Sequence, residues 1–107
     1  KVNYKNAIMA DYPLKEIATL LSVSDKRILI DSFAQHMAAA LDLPSTVCWI
    51  TTKSNVLGYN IHNNIQANHF EFITKQRTYF GYDFVEPLYN LPYTSTENIF
   101  NLNQIIK

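Results

Sequence analysis

DSFAQHMAAALDLPSTVCWI, residues 31–50, holds a helix and the strand after it. It follows the apolar run KRILI at 26–30, which reads as a short strand. Asp31-Ser32 ends that strand, and a small-residue helix begins at once, with His36 one turn in. The Ala38-Ala39-Ala40 run has high helix propensity and allows close approach to a sheet. The helix ends near Asp42-Leu43-Pro44. Residues 45–50 are apolar and β-branched enough for a buried parallel strand. The unit is strand–helix–strand, with a polar cluster where the first strand meets the helix. In open α/β sheets ligands bind at that junction. The first-turn N–H groups have no partner within the helix, and the helix dipole adds partial positive charge. Together they suit an anion, phosphate above all.

Working outward, NAIMA at 6–10 reads as a further strand leading into an Asp11-Tyr12-Pro13 turn. Pro13 suits the first position of a helix, with Asp11 a candidate cap. Leu14, Ile17, Ala18 and Leu21 recur at helical spacing, so 13–23 reads as an amphipathic helix. Ser24-Asp25 breaks it, 26–31 is the next strand, and 32–42 the second helix. The alternation implies right-handed crossovers and a parallel sheet. The expected class is therefore α/β, a Rossmann-like parallel sheet flanked by helices.

The character changes after Ile50. Residues 51–69 are polar and rich in Asn, and read mostly as loop. Residues 70–80 are aromatic and open between strand and irregular structure. Residues 81–93, with Pro87 and Pro92, read as a covering loop. Ser95 or Thr96 can cap a final helix over 96–106, with Ile99, Phe100, Leu102, Ile105 and Ile106 on its apolar side; Thr94-Ser95-Thr96-Glu97 is only a partial capping signal.

The 107 residues suffice for one domain with a modest core. Hydrophobic content of 48% against 17% charged residues marks a globular chain, not a disordered one. Nine Lys and Arg balance nine Asp and Glu, and no basic run stands out. Nucleic acid and anionic membrane surfaces are therefore not expected partners. Cys48, the single cysteine, cannot form an internal disulfide and reads as a small buried side chain in a reducing compartment. No apolar run approaches the roughly 20 residues of a membrane helix, and no secretory signal is visible. A first residue of Lys rather than Met reads as a truncated or processed chain.

Residues 12–58 carry a resemblance. Leu14-Lys15-Glu16-Ile17-Ala18, then Asp31-Ser32-Phe33-Ala34-Gln35-His36, then Ala38 to Pro44, then Trp49-Ile50-Thr51-Thr52 follow one another in a known order. That order resembles the C-terminal domain of glycosyltransferase family 9, the heptosyltransferase-like enzymes of bacterial lipopolysaccharide synthesis. The family pattern has glycine where Phe33 stands, and Gly-Pro-Thr where Ile50-Thr51-Thr52 stands. The resemblance implies the C-terminal part of a GT-B fold. The whole chain, 1–107, would be a single partial domain, with 12–58 its family-like core and 59–107 a variable loop region and closing helix.

The resemblance also implies a function: the donor-binding portion of a transferase that moves a sugar to lipopolysaccharide or another cell-envelope glycan. A nucleotide-diphosphate sugar would be the donor and a glycan or glycolipid the acceptor. No metal or other cofactor is expected, because helix N-termini and side chains neutralise the diphosphate in that family. The catalytic base would lie in an N-terminal domain that this chain lacks, so the chain alone is not expected to catalyse transfer. The expected compartment is the cytoplasm, including the inner-membrane periphery.

On this reading Asp31 accepts from sugar hydroxyls, Ser32 donates to phosphate and His36 donates to the diphosphate. The bland alternatives are an N-cap for Asp31 or Ser32 and a structural histidine for His36. Phe33 departs from glycine and either points into the core, leaving its N–H free, or covers the pocket. Thr51, Thr52 and Lys53 follow a strand at its C-terminal end and can reach the same ligand. Tyr12 aligns beside the nucleotide base and reads equally as a stacking residue or as core packing. His62, His69 and His36 show no zinc-like spacing. Asn60, Asn63 and Asn64 read as sugar contacts or loop composition, and Tyr79-Phe80-Gly81-Tyr82 as core closure more than a carbohydrate platform. The rival reading is a non-catalytic α/β binding or interaction module on the same fold. A receiver-like signalling domain is weaker still, because only Asp31 among the acids sits at a strand end.

Overall fold

The computed structural model describes residues 5–6, 11–50, 52–68 and 96–105. Helix α1 spans Leu14–Val23, strand β1 Ile28–Ile30, helix α2 Phe33–Ala40 and strand β2 Thr46–Trp49. Then come a one-turn helix α3 at Ser54–Leu57, strand β3 at Asn63–Gln66, a 3-10 turn at Thr96–Asn98 and a last helical turn α4 at Leu102–Ile105. The three strands form one parallel sheet in the order β1-β2-β3. The α/β class and the parallel sheet flanked by helices are as the sequence implies. Among the described residues no helix is long and apolar enough to cross a membrane.

Each helix shows why it starts and stops where it does. Pro13 precedes α1, and its carbonyl accepts from the Glu16 and Ile17 N–H groups; no side chain caps the helix, so Asp11 does not act there. Ser32, extended at φ −154°, is the N-cap of α2, its hydroxyl accepting from the Ala34 N–H at 3.4 Å. At the other end Asp42 N–H donates to Ala39 and Leu43 N–H to Ala38. That pair of bonds is a Schellman stop, and it puts Asp42 at φ 56°, in the left-handed region glycine usually fills.

Alternation along β2 sends Val47 and Trp49 to one face and Cys48 to the other. Val47 and Trp49 are fully buried, as are Gln35 and Ala38 of α2. Trp49 Nε1 donates to Asn64 Oδ1 at 3.0 Å, which ties β2 to β3 on that face. On the opposite face Cys48 and Ile65 are buried, while Ile28 and Ile30 of β1 stand 62% exposed.

Two expectations need correction. The loop reading of residues 51–69 leaves out two elements: α3, and β3, which is the third strand of the sheet. Intrinsic β propensity is poor in Asn-Asn-Ile-Gln, and the strand forms because its neighbours bond it. Asn63 N–H donates to Ser45 O, Ala67 N–H to Trp49 O and Gln66 Nε2 to Trp49 O. The final segment is not one continuous helix over 96–106. Asn101 Oδ1 accepts from the Asn103 N–H, so Asn101 caps a separate last turn after the 3-10 turn. Of the strand read at 6–10, Asn6 lies in a turn and 7–10 fall outside the described residues, as do the readings of 70–80 and 81–93, Ser95 and His69.

The sheet has two unlike ends. At the N-terminal end Arg27, Ser45 and His62 each stand directly before one strand. Arg27 Nε donates to Ser45 Oγ at 3.2 Å, and Ser45 N–H donates to His62 Nδ1 at 3.2 Å. The remaining guanidinium N–H groups bind the carbonyls of Leu21, Ser24 and Pro44. His62 Nε2 reaches Gln35 O at 2.9 Å. A backbone N–H can only donate, so Nδ1 carries the lone pair and Nε2 the proton. This end is closed by bonds among its own residues. The C-terminal end carries the junctions at Asp31-Ser32, Thr52-Lys53 and Ala67-Asn68.

Candidate functional site

Parallel strands put the β1–α2 and β2–α3 junctions on the same edge of the sheet. Asp31 directly follows β1 and is exposed. Its carboxylate makes no hydrogen bond or ion pair among the described residues, so it is not the cap of α2; Ser32 is. Phe33 does not point into the core: its side chain is 52% exposed. Its N–H, the first of α2, has no partner among the described residues. The junction therefore offers a capped helix start, one free first-turn N–H and one free carboxylate.

Across the edge, Thr52 is half-buried and its carbonyl lies 3.4 Å from Gln66 Nε2, which fastens the β2–α3 junction to β3. Lys53 is exposed directly before α3. Thr51 lies outside the described residues. Tyr12, 47% exposed, stands two residues before α1.

His36 follows Ser32 by four residues, so it lies on the same face of α2, about 6 Å further along the axis. Its Nδ1 is 2.9 Å from the Tyr59 hydroxyl, and the two rings meet edge to face at 84° with centroids 5.5 Å apart. Tyr59 stands at the same 84° to His62, at 5.9 Å. Gln35 Nε2 donates to Leu57 O at 3.1 Å and lies 3.1 and 3.4 Å from the two His36 nitrogens. Near-equal distances place the amide over the imidazole face rather than in its plane, an N–H to π contact. Gln35 Oε1 is buried with no hydrogen-bond partner. His62, by contrast, spends both nitrogens on the backbone and is a structural residue.

His36 and Tyr59 open onto a cleft of ≈ 430 Å³. Ala39, Ala40 and Asp42 line it from the α2 side, and Asn60 and Ile61 from the connection into β3. Of the asparagines singled out by composition, Asn64 is bound to Trp49 and to the Tyr59 carbonyl, and Asn63 Nδ2 reaches Gln104 O. Only Asn60 of the three lines the cleft.

Sequence reasoning missed Gln35, Arg27, Tyr59 and the place of Asp42 on the cleft wall. The one signal within reach was Asp42 itself, an acid at a helix stop where glycine is usual. No group of three or more His, Cys, Asp or Glu side chains among the described residues could hold a metal ion. Burial raises the Cys48 thiol above its ordinary value, which makes it a poor nucleophile. No protein-family model, curated protein or solved structure matches this chain.

Proposed function

We propose that this chain binds the phosphate-bearing donor of a sugar-transfer reaction, as the nucleotide-sugar-binding portion of a heptosyltransferase-like glycosyltransferase of GT-B architecture. The observation that carries the reading is the β1–α2 junction, where the Phe33 N–H and the Asp31 carboxylate both lack a partner among the described residues at the start of a capped helix. The free N–H, with the partial positive charge of the helix start, suits a phosphate oxygen. The carboxylate two residues earlier suits sugar hydroxyls, which can donate to it. His36, on the same face, adds a further donor toward a diphosphate. Thr52 and Lys53 close the same edge. The order of residues 12–58 supports the sugar over other phosphate compounds. Transfer itself would need a base that this reading assigns to a separate N-terminal domain, with a cell-envelope glycan as acceptor.

The test is a calorimetric titration of the chain with UDP-glucose, ADP-glucose and GDP-mannose. At least one should bind. Asp31→Ala and His36→Ala should each weaken that binding about tenfold while thermal unfolding stays within a degree or two, since an exposed polar side chain contributes little to folding. Equal binding by parent and both variants would remove Asp31 and His36 from the site.

A second reading, a non-catalytic interaction module, rests on Phe33. An exposed phenylalanine beside the anion position, with Ile28 and Ile30 also exposed on β1, gives an apolar surface that a transferase site does not require. A folded chain that binds none of the three donors would favour it.

A further inference from the structure

We propose that the cleft between α2 and the Tyr59–Ile61 segment binds a small organic ammonium group. The cleft shares His36 with the donor junction, but the proposal stands on Asp42, Tyr59 and the end of α2 and does not depend on the reading of that junction. Its argument is electrostatic. The cleft lies at the C-terminal end of α2, where the helix dipole is negative. Leu41, Asp42 and Leu43 N–H groups satisfy the Met37, Ala39 and Ala38 carbonyls, while those of Ala40 and Leu41 accept nothing among the described residues. The Asp42 carboxylate, also unpaired among the described residues, stands at the same place. An anion is therefore disfavoured at the Asp42 end of the cleft, and among the described residues no Lys or Arg lines the cleft to reverse that.

The remaining wall fits a cation equally well. Tyr59 is 40% exposed and supplies an aromatic ring, and a cation over such a ring gains a further attraction. The His36 contact holds that ring in place through its hydroxyl. Ala39 and Ala40 are short, which is what leaves the room, and Ile61 supplies an apolar contact for methyl or methylene groups. The volume of ≈ 430 Å³ falls at the small end of the range for small-molecule sites, about 300–1,000 Å³. Folding alone does not ask for an acid at Asp42: glycine would relieve the φ of 56°, and a neutral residue would suit the helix end better.

Choline chloride is the probe, with 3,3-dimethyl-1-butanol as its uncharged counterpart of similar shape, followed by amide chemical shifts of the full chain. Choline should shift Ala39 to Asp42 and Tyr59 to Ile61 and saturate, and the alcohol should bind about fivefold more weakly or worse. Asp42→Asn keeps a residue that tolerates the left-handed conformation, so the fold is retained, and it should weaken choline by a similar factor. Asp25→Asn, an equal loss of charge in the turn before β1, should leave choline binding as it is. Tyr59→Leu should weaken it independently. Equal binding of choline and the alcohol, or an unchanged affinity in Asp42→Asn, overturns the proposal. A response to phosphatidylcholine vesicles without any to free choline overturns it as well, since it would assign a lipid headgroup at a surface rather than a small ammonium ligand in the cleft.

Discussion

At the residue scale, two positions turn geometry into numbers. Gly58 adopts an ordinary φ of −85°, so its role is space and not conformation. A Cβ there would collide with the Ser54 carbonyl and lie 3.1 Å from Trp49 Cζ2 and 3.2 Å from Asn64 Oδ1. The first is backbone and cannot swing away, and the second belongs to a fully buried ring. Gly58→Ala should therefore cost about 1–3 kcal/mol in urea unfolding, the usual range for an overpacked interior. A loss below about 0.5 kcal/mol would show that α3 moves freely against Trp49. Cys48 supplies a pH dependence. Burial raises its thiol pKa, while the unfolded chain titrates near the ordinary value of about 8.5. The neutral buried thiol thus contributes stability that is complete below that value and is lost as pH rises through the folded-state pKa. Measured against Cys48→Ala, the parent should lose stability from about pH 8.5 upward. A constant difference between the two across that window would contradict the burial.

At the element scale, the N-terminal end of the sheet holds the fold together. One guanidinium bonds to the end of α1, to the residue before β2 and to Pro44, and Ser45 passes the connection to His62 before β3. Arg27→Ala should cost on the order of 2 kcal/mol, because charged-group hydrogen bonds are lost and half-buried carbonyls are left unpaired. Arg27→Lys should recover only part of it, since an ammonium cannot reproduce the planar fork. Chemical denaturation of the three proteins checks the order, and full recovery by lysine would reduce Arg27 to a surface charge. The elements also show what was legible beforehand. Periodicity revealed α1, the alanine run α2, and apolar runs β1 and β2, each to within two or three residues. Strand β3 was hidden because Asn63-Asn64-Ile65-Gln66 lacks the residue types of a strand, and its pairing comes from β2. The span 96–106 reads as one helix from its apolar side, but Asn101 lies within that span and its side chain starts a new turn.

At the scale of the whole molecule, the sheet is closed at one end and open at the other. The closed end uses its polar groups on each other. The open end leaves the Phe33 N–H and the Asp31 carboxylate without partners among the described residues. The site was legible in part, because Asp31, Ser32 and His36 sit in one contiguous motif. The cleft was not: Tyr59 is 23 residues from His36 in the chain, and only the crossover into β3 brings the two together. The functional account stands on the difference between the two ends. It is tested most directly by mapping amide chemical shifts while the chain is titrated with UDP-glucose, ADP-glucose and GDP-mannose. The account predicts that at least one donor shifts Ser32, Phe33 and Thr52 at the open end while Arg27, Ser45 and His62 stay where they are. Shifts confined to the closed end, or none for any of the three donors on a folded chain, would contradict it.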